Sequence, residues 1–225
     1  FSNEALDALE GSVRPLAHAS AGGAEVLVGG QTAAFADVRN AIERDYTVVY
    51  PVAAGLILII LVLLLRSVVA PLYLLAAVAL GFAATLGATV AVFQGLGGEA
   101  GLSFAVPLIL YLFVVAIGTD YNILMTTRLR EEFREGLAPR PAADMSIEHA
   151  GPTVAAAGVI LAGTFASLML TGIGQLVEMG FAVSIGIVLV AFVMAIVLVP
   201  SVAALLGRSV WWPGHQADVP DRAQR

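Results

Sequence analysis

Five long apolar runs are the feature that most constrains how this sequence can fold. They lie at about Thr47–Leu65, Leu72–Phe93, Phe104–Leu124, Thr153–Leu170 and Gly180–Leu198. Each is close to the ~20 residues that an α-helix needs to cross ~30 Å of hydrocarbon at about 1.5 Å per residue. Because a chain inside a bilayer must satisfy its own backbone polar groups, the runs predict five transmembrane helices.

The composition agrees with a membrane protein and argues against the alternative, a large soluble protein with buried core helices. Hydrophobic residues make up 59% of the 225 residues and charged residues only 12%, about half the charged share of a soluble domain. The sequence has no cysteine, which excludes disulfides and cysteine-ligated metals. We therefore predict a mainly α, polytopic membrane protein.

The arginines predict the direction in which the helices cross the membrane. All 11 basic residues are arginine. The segments that follow the first, third and fifth runs contain arginine, whereas the other two connecting loops contain none. Because positively charged loops stay in the cytoplasm, the arginine side is expected to be cytoplasmic. Residues 1–46 are then expected outside the cytoplasm, and the tail at 208–225 inside it.

Residues 1–46 are hydrophilic and predict a different kind of structure. Two stretches have apolar residues at helical spacing, and Val26-Leu27-Val28 before Gly29-Gly30 predicts a short strand. Two helices and a strand bury too little apolar surface to fold alone. We therefore predict the α/β end of a larger extracytoplasmic domain at 1–46, a five-helix membrane domain at 47–207, and the tail at 208–225. An exported segment normally needs a preceding span, so we expect this chain to be part of a longer polypeptide.

Asp120 is the only ionisable residue deep within any predicted span. An Asp at a helix centre costs about 2.5–3.5 kcal/mol on the insertion scale, so such residues point to function. Desolvation favours the neutral acid, which can take up a proton from one side and release it to the other when its surroundings change. The hydroxyl of Tyr121 can donate to the carboxylate or relay through water. The pair predicts a proton-coupling site; the alternatives are a permanently protonated structural donor, or an ion or substrate contact.

Thr164 and Ser167 are candidates for support of this relay, because they lie three residues apart on one face of the fourth run. The alternative is that both hydroxyls bond to their own helix backbone, as is common for Ser and Thr in helices. No His, Asp or Glu cluster lies in the runs, so no metal site is predicted. An intramembrane aspartyl protease would need two facing aspartates, and we expect no enzyme activity.

Four stretches resemble one transporter family. Gly118-Thr119-Asp120-Tyr121-Asn122, running on to Arg128-Leu129-Arg130-Glu131-Glu132, resembles the MMPL (mycobacterial membrane protein large) branch of the resistance–nodulation–division transporters. Three further stretches are similar to the same family: Gly29-Gly30-Gln31-Thr32-Ala33, Ala157-Gly158 through Ala162-Gly163-Thr164-Phe165, and Leu206-Gly207-Arg208 followed by Trp211-Trp212-Pro213. The resemblance covers nearly the whole chain.

The resemblance implies that this chain is the end of a second porter domain followed by the last five helices of a transporter. It implies proton-driven export of lipids or other hydrophobic molecules, with Asp120 and Tyr121 as the proton relay and no cofactor. Drug-efflux relatives use a membrane lysine, and this chain has none, which favours the lipid-exporting branch.

The implied partners are membrane lipids, a lipid or hydrophobic substrate, and the N-terminal half of the same transporter; nucleic acid is not expected. The implied location is the bacterial cell membrane, with several passes. The alternative within the same superfamily is a non-transporting module for sterol sensing or assembly.

Overall fold

Five helices of the computed structural model are long and apolar enough to cross a membrane, within the residues that it describes, 3–98 and 101–213. This confirms the five predicted spans. In chain order the helices are α1 (Asn3–Ala8), α2 (Arg14–Ser20), α3 (Gln31–Leu65), α4 (Val69–Leu96), α5 (Val106–Arg134), α6 (Pro139–Thr171) and α7 (Gly174–Trp211), of which α3 to α7 are the spanning helices. Of the predicted tail, residues 214–225 lie outside the described residues.

The N-terminal segment is helical, and the predicted strand is wrong. Residues 25–29 have no regular structure, and no strand occurs in residues 3–98 or 101–213. A strand needs a neighbour whose backbone N–H and C=O groups complete the ladder, and no neighbouring strand is present in those residues. Leu27 is 86% exposed, so its side chain has no core to pack into. The predicted α/β remnant is therefore corrected to two short helices, joined through a π-helical turn at Leu9–Val13.

The two short helices lie against the start of α3. Arg14 pairs with Asp37 at 2.6 Å, and Arg39 pairs with Asp7 at 2.6 Å. The hydrogen bond to Asp37 is the main cause that raises the pKa of the Arg14 guanidinium. Leu6 of α1 is buried against this surface. Because α3 runs without a break from residue 31 to residue 65, it connects this segment rigidly to the membrane bundle.

Helix α7 lies at the centre of the bundle and α3 at its edge. Half of the apolar window of α7 is buried, against 11% of that of α3. Helix α5 packs against all four of the other spanning helices, whereas α3 packs only against α4 and α5 among them. Most of the apolar surface of α3 therefore faces outward, as expected for a helix in contact with lipid.

Glycines let the helices approach α7 closely. A Cβ atom added at Gly81 of α4 would lie 3.1 Å from the side chain of Val190, and one at Gly118 of α5 would lie 3.0 Å from it. A Cβ at Gly158 of α6 would lie 2.8 Å from the Cβ of Ala191. Small residues of this kind drive helix association in membranes, where lipid is as apolar as the side chains.

The end of α7 is fastened to the loop between α3 and α4. The hydroxyl of Ser67 contacts the carbonyl oxygens of Val210 at 2.7 Å and Trp212 at 3.0 Å. The Trp211 ring is 8% exposed and packs beneath the guanidinium of Arg130, 5.5 Å from the ring centre. The last turn of the described chain is thus part of the bundle.

We expect Gly158→Ala to lower the thermal midpoint of the purified protein in detergent. The new methyl would overlap Ala191, and overpacking costs about 1–3 kcal/mol. The matched control is Gly163→Ala in the same helix, where nothing lies within 4 Å of the added Cβ. Alanine is the better helix former by about 0.5–1 kcal/mol, so Gly163→Ala should leave the midpoint unchanged or raise it. Equal midpoints for the two variants would contradict the packing described here.

We also expect Ser67→Ala to destabilise the protein by about 1–2 kcal/mol, because it leaves the buried carbonyl oxygen of Val210 without this donor. The carbonyl oxygen of Trp212 keeps the N–H of Val68, at 2.9 Å. The control is Ser209→Ala, since the Ser209 side chain is exposed and bonds only within its own turn, to Leu206. Thermal unfolding in detergent measures both. If the thermal midpoint of Ser67→Ala is no lower than that of Ser209→Ala, the contact of the Ser67 hydroxyl with the end of α7 contributes nothing to stability.

Candidate functional site around Asp120

Asp120 lies midway between the ends of α5, at Val106 and Arg134. The helix begins with a proline in its first turn, where the missing N–H has no helical partner to lose. Its C-terminal end carries arginines and glutamates, and Arg128 pairs there with Glu131 at 2.7 Å. The carboxyl group of Asp120 is therefore placed at the middle of a spanning helix, about 12 Å from Arg128 along the helix axis.

Asp120 belongs to an exposed stripe on α5. Leu112, Ala116, Asp120 and Leu124 recur every four residues, and all four are exposed. Residues at this spacing lie on one face of a helix. The other faces of α5 are covered by α3, α4, α6 and α7. The stripe, Leu112–Ala116–Asp120–Leu124, is the surface of α5 that the described helices leave open.

Tyr121 points in a different direction from Asp120. Adjacent residues on a helix are about 100° apart, so the two side chains do not face each other. Tyr121 is half-buried and packs against both of the larger apolar clusters of the bundle. Its ring is held by the packing, while the neighbouring carboxyl group lies on the open face.

Thr164 and Ser167 are exposed on α6, and their hydroxyl protons are used within that helix. Thr164 donates to the carbonyl oxygen of Ile160 at 2.8 Å, and Ser167 donates to that of Thr164 at 2.7 Å. Neither hydroxyl is bonded to Asp120 in this conformation. The oxygen lone pairs of each hydroxyl remain available. Either hydroxyl could therefore accept a hydrogen bond while it still donates to its α6 carbonyl.

Four residues with buried polar atoms were not predicted as site residues from the sequence. Thr119, Asn122 and Thr126 of α5 and Tyr73 of α4 have buried side-chain polar atoms without hydrogen-bond partners; we call them the α5 polar cluster. The signal was present, because Thr119, Asn122 and Thr126 are at positions i, i+3 and i+7 of one helix face. Hydropathy alone cannot separate such a face from an exposed one.

The charged end of α5 contains a second acid that the sequence patterns did not single out. Glu132 is buried, and its carboxylate lies 3.1 Å from Nδ1 of His149 on α6. The contact joins α5 to α6 near the end of the bundle that carries the arginines. Within the described residues no group of three or more His, Asp or Glu side chains is placed to hold a metal ion.

Comparisons with known proteins all lead to one family. The model of the MMPL family matches residues 2–224. The protein SCO5905 of Streptomyces coelicolor is 39% identical over 223 residues, which is 96% of this chain and 26% of that protein. The acyltrehalose exporter MmpL10 of Mycobacterium tuberculosis is 35% identical over 203 residues, covering 89% of this chain and 20% of that protein.

A third relative is named for the export of a different molecule. The apo-petrobactin exporter of Bacillus anthracis is 36% identical over 202 residues, which is 89% of this chain and 27% of that protein. The chain thus spans about a quarter of the length of the curated relatives that it matches.

Proposed function

This chain belongs to the MMPL family, and from that premise we propose that it is the C-terminal membrane half of a proton-driven exporter of lipids or other hydrophobic molecules. Relatives named as an acyltrehalose exporter and an apo-petrobactin exporter support a role in transport. Transport itself belongs to the whole protein, because the chain spans only about a quarter of their length. The N-terminal half of the same transporter is the partner that the proposal requires.

The observation that carries the proposal is the exposed carboxyl group of Asp120 at the middle of a spanning helix. An ionisable group in contact with hydrocarbon is costly, and such residues almost always face protein or a water-filled cavity. The stripe Leu112–Ala116–Asp120–Leu124 is therefore the surface on which the N-terminal half packs. The carboxyl group then lies between the two halves, where a movement of either half changes its surroundings.

Proton coupling follows from that position. When the interface is closed and dry, the neutral acid is favoured; when it opens to water, the charged form is favoured and the proton leaves. Each proton that crosses a potential of 100 mV supplies about 2.3 kcal/mol, to which the pH gradient adds. The proton gradient is thus the energy source, and the proposal needs no cofactor.

The neighbouring hydroxyls have distinct parts in this scheme. Tyr121 is fixed by packing and can donate to the carboxylate through a bridging water. Thr164 and Ser167 already donate to α6 carbonyls, so they act first as acceptors. They can pass a proton only if their hydroxyls rotate away from those carbonyls.

The arginine pattern supports a direction for the proposed transport. The charged end of α5 faces the cytoplasm, and α1, α2 and the start of α3 lie outside it, in a multi-pass protein of the bacterial cell membrane. Protons then move inward past Asp120 while the cargo moves outward.

We expect Asp120→Asn to abolish proton-dependent export by the whole transporter, by about 100-fold or more, with normal folding. The amide cannot ionise but has the size of the acid. The measurement is substrate export from proteoliposomes with an imposed pH gradient. Glu131→Gln is the control, because this exposed acid pairs only with Arg128 of its own helix. Unchanged export by Asp120→Asn would remove the relay, whereas no export by the unmodified transporter would favour a non-transporting sterol-sensing or assembly module.

We expect Ala116→Trp to lower both the thermal midpoint and the export rate of the whole transporter, because the indole would lie where the N-terminal half packs. The matched control is Ala83→Trp on α4, which is also exposed but lies outside the stripe. A tryptophan in contact with lipid should have little effect there. Equal effects of the two substitutions would show that the stripe is not the interface.

A further inference from the structure

The polar side-chain atoms of the α5 polar cluster are buried, but they lack hydrogen bonds of good geometry. Asn122 is 1% exposed and Thr126 0%. Both polar atoms of the Asn122 amide and the hydroxyl oxygens of Thr119 and Thr126 have no partner. On α4, the hydroxyl of Tyr73 lies beside that of Thr126, close enough to interact with it but without a hydrogen bond of good geometry. Each such group left unpaired away from water costs about 1–3 kcal/mol.

Threonines elsewhere in the bundle avoid this cost. Thr85 of α4 donates to the carbonyl oxygen of Gly81 at 2.7 Å, and Thr89 donates to that of Thr85 at 2.8 Å. Any threonine inside a helix can bond to its own backbone in this way. Thr126 does not, although it is equally buried. Its hydroxyl lies beside that of Tyr73 on α4 instead, without a hydrogen bond of good geometry.

The cluster borders a narrow cleft between α3, α4 and α5. Its walls are Thr119 and Asn122 together with the apolar side chains of Ile57, Leu61, Leu74, Leu75 and Val78. In this conformation it has no room for a water molecule. A small separation of α5 from α3 and α4 would admit one.

Hydrogen bonds join α3 to α5 and to the segment before it at one end of this cleft. The Tyr111 hydroxyl of α5 donates to the carbonyl oxygen of Tyr50 at 2.8 Å, and their rings stack 3.9 Å apart. The Tyr46 hydroxyl donates to the carbonyl oxygen of Phe104 at 2.8 Å. Beside the cluster, by contrast, α3 contributes only the apolar Ile57 and Leu61 to the cleft. Separation is therefore easiest at the cluster.

We propose that the α5 polar cluster is a water-binding site that fills when α5 separates from α3 and α4, and that the bound water conducts protons between the level of Asp120 and the charged end of α5. The inference rests on the proposed function, because the route would lead protons to the level of the Asp120 carboxyl group, which lies on a different face of α5 from the cluster. Thr119 lies next to Asp120, and Thr126 lies two residues before Arg128. The cluster spans about 10 Å of the helix axis between these levels.

The chemistry of the cluster suits water. Its hydroxyls and amide offer both donors and acceptors, and a buried water needs two to four polar partners. None of the four residues carries a charge, so the set is poorly matched to an ion. The hydroxyls of Tyr73 and Thr126 can each accept one proton while giving up another. The amide of Asn122 orients the water and is not itself a proton carrier.

Water in the cluster can be detected without measuring transport. X-ray radiolysis turns bound water into hydroxyl radicals that label nearby side chains in the whole transporter. We expect Tyr73 to be labelled several-fold more than Tyr111, a buried tyrosine whose hydroxyl is already bonded. Asn122→Leu should reduce Tyr73 labelling to the level of Tyr111. Labelling of Tyr73 no greater than that of Tyr111, in proteoliposomes with a pH gradient and export under way, would overturn the proposal.

Measurement of proton release tests the second part of the proposal, that water in the cluster conducts protons. We expect Thr126→Val to slow export-linked proton release about tenfold, while Thr89→Val, an equally buried threonine that is bonded within α4, leaves it unchanged. Asn122→Leu should also slow proton release. Thr126→Val and Asn122→Leu should fold, since they remove groups that make no hydrogen bond of good geometry, and Thr89→Val removes a single hydrogen bond within α4. Equal rates for Thr126→Val and Thr89→Val would reject the proton route.

Asp120→Asn, measured in the same preparations, separates this inference from the proposed function. If Asp120→Asn stops export while Thr126→Val and Asn122→Leu release protons normally, the proposed function stands and the water route is rejected. If Asp120→Asn exports normally, the proposed function and the route that serves it both fail. In that case the labelling of Tyr73 tests only whether the cluster binds water.

Discussion

The hydrocarbon around this chain is the constraint on which the rest of the structure depends. Lipid offers no hydrogen bonds, so each spanning segment must satisfy its backbone internally as a helix. Lipid is also as apolar as the side chains, so burial alone does not hold the helices together. Close contact at Gly81, Gly118 and Gly158 does this instead, by bringing α4, α5 and α6 against the central α7.

The same constraint makes a polar side chain within the bundle informative. Asp120 faces outward on α5, whereas Asn122 and Thr126 of the same helix face inward without partners. These are two separate departures from the rule that polar groups in lipid are satisfied. We propose that a protein surface covers the stripe and that water enters the cluster. Both explanations require a part of the transporter to move or to be present beyond this chain.

Tight and loose packing are distributed unequally in the bundle. The contacts of α7 with its neighbours leave no room for a single methyl group at Gly158, so α6 and α7 are tightly packed there. The contact of α3 with α5 is held by tyrosines at one end and by apolar side chains near the cleft. A motion that changes the surroundings of α5 is therefore more easily made on the α3 side than on the α7 side.

The sequence by itself determined the number of spanning helices, the family and the isolation of Asp120 among apolar residues, because hydropathy and local motifs are properties of consecutive residues. It failed at Val26-Leu27-Val28, where a strand pattern has no neighbouring strand to pair with. Only the tertiary structure decided that Asp120 is exposed, that Thr164 bonds to its own helix and that Asn122 is buried. Burial and pairing depend on which helices lie alongside, and that choice is made by packing between residues far apart in the chain.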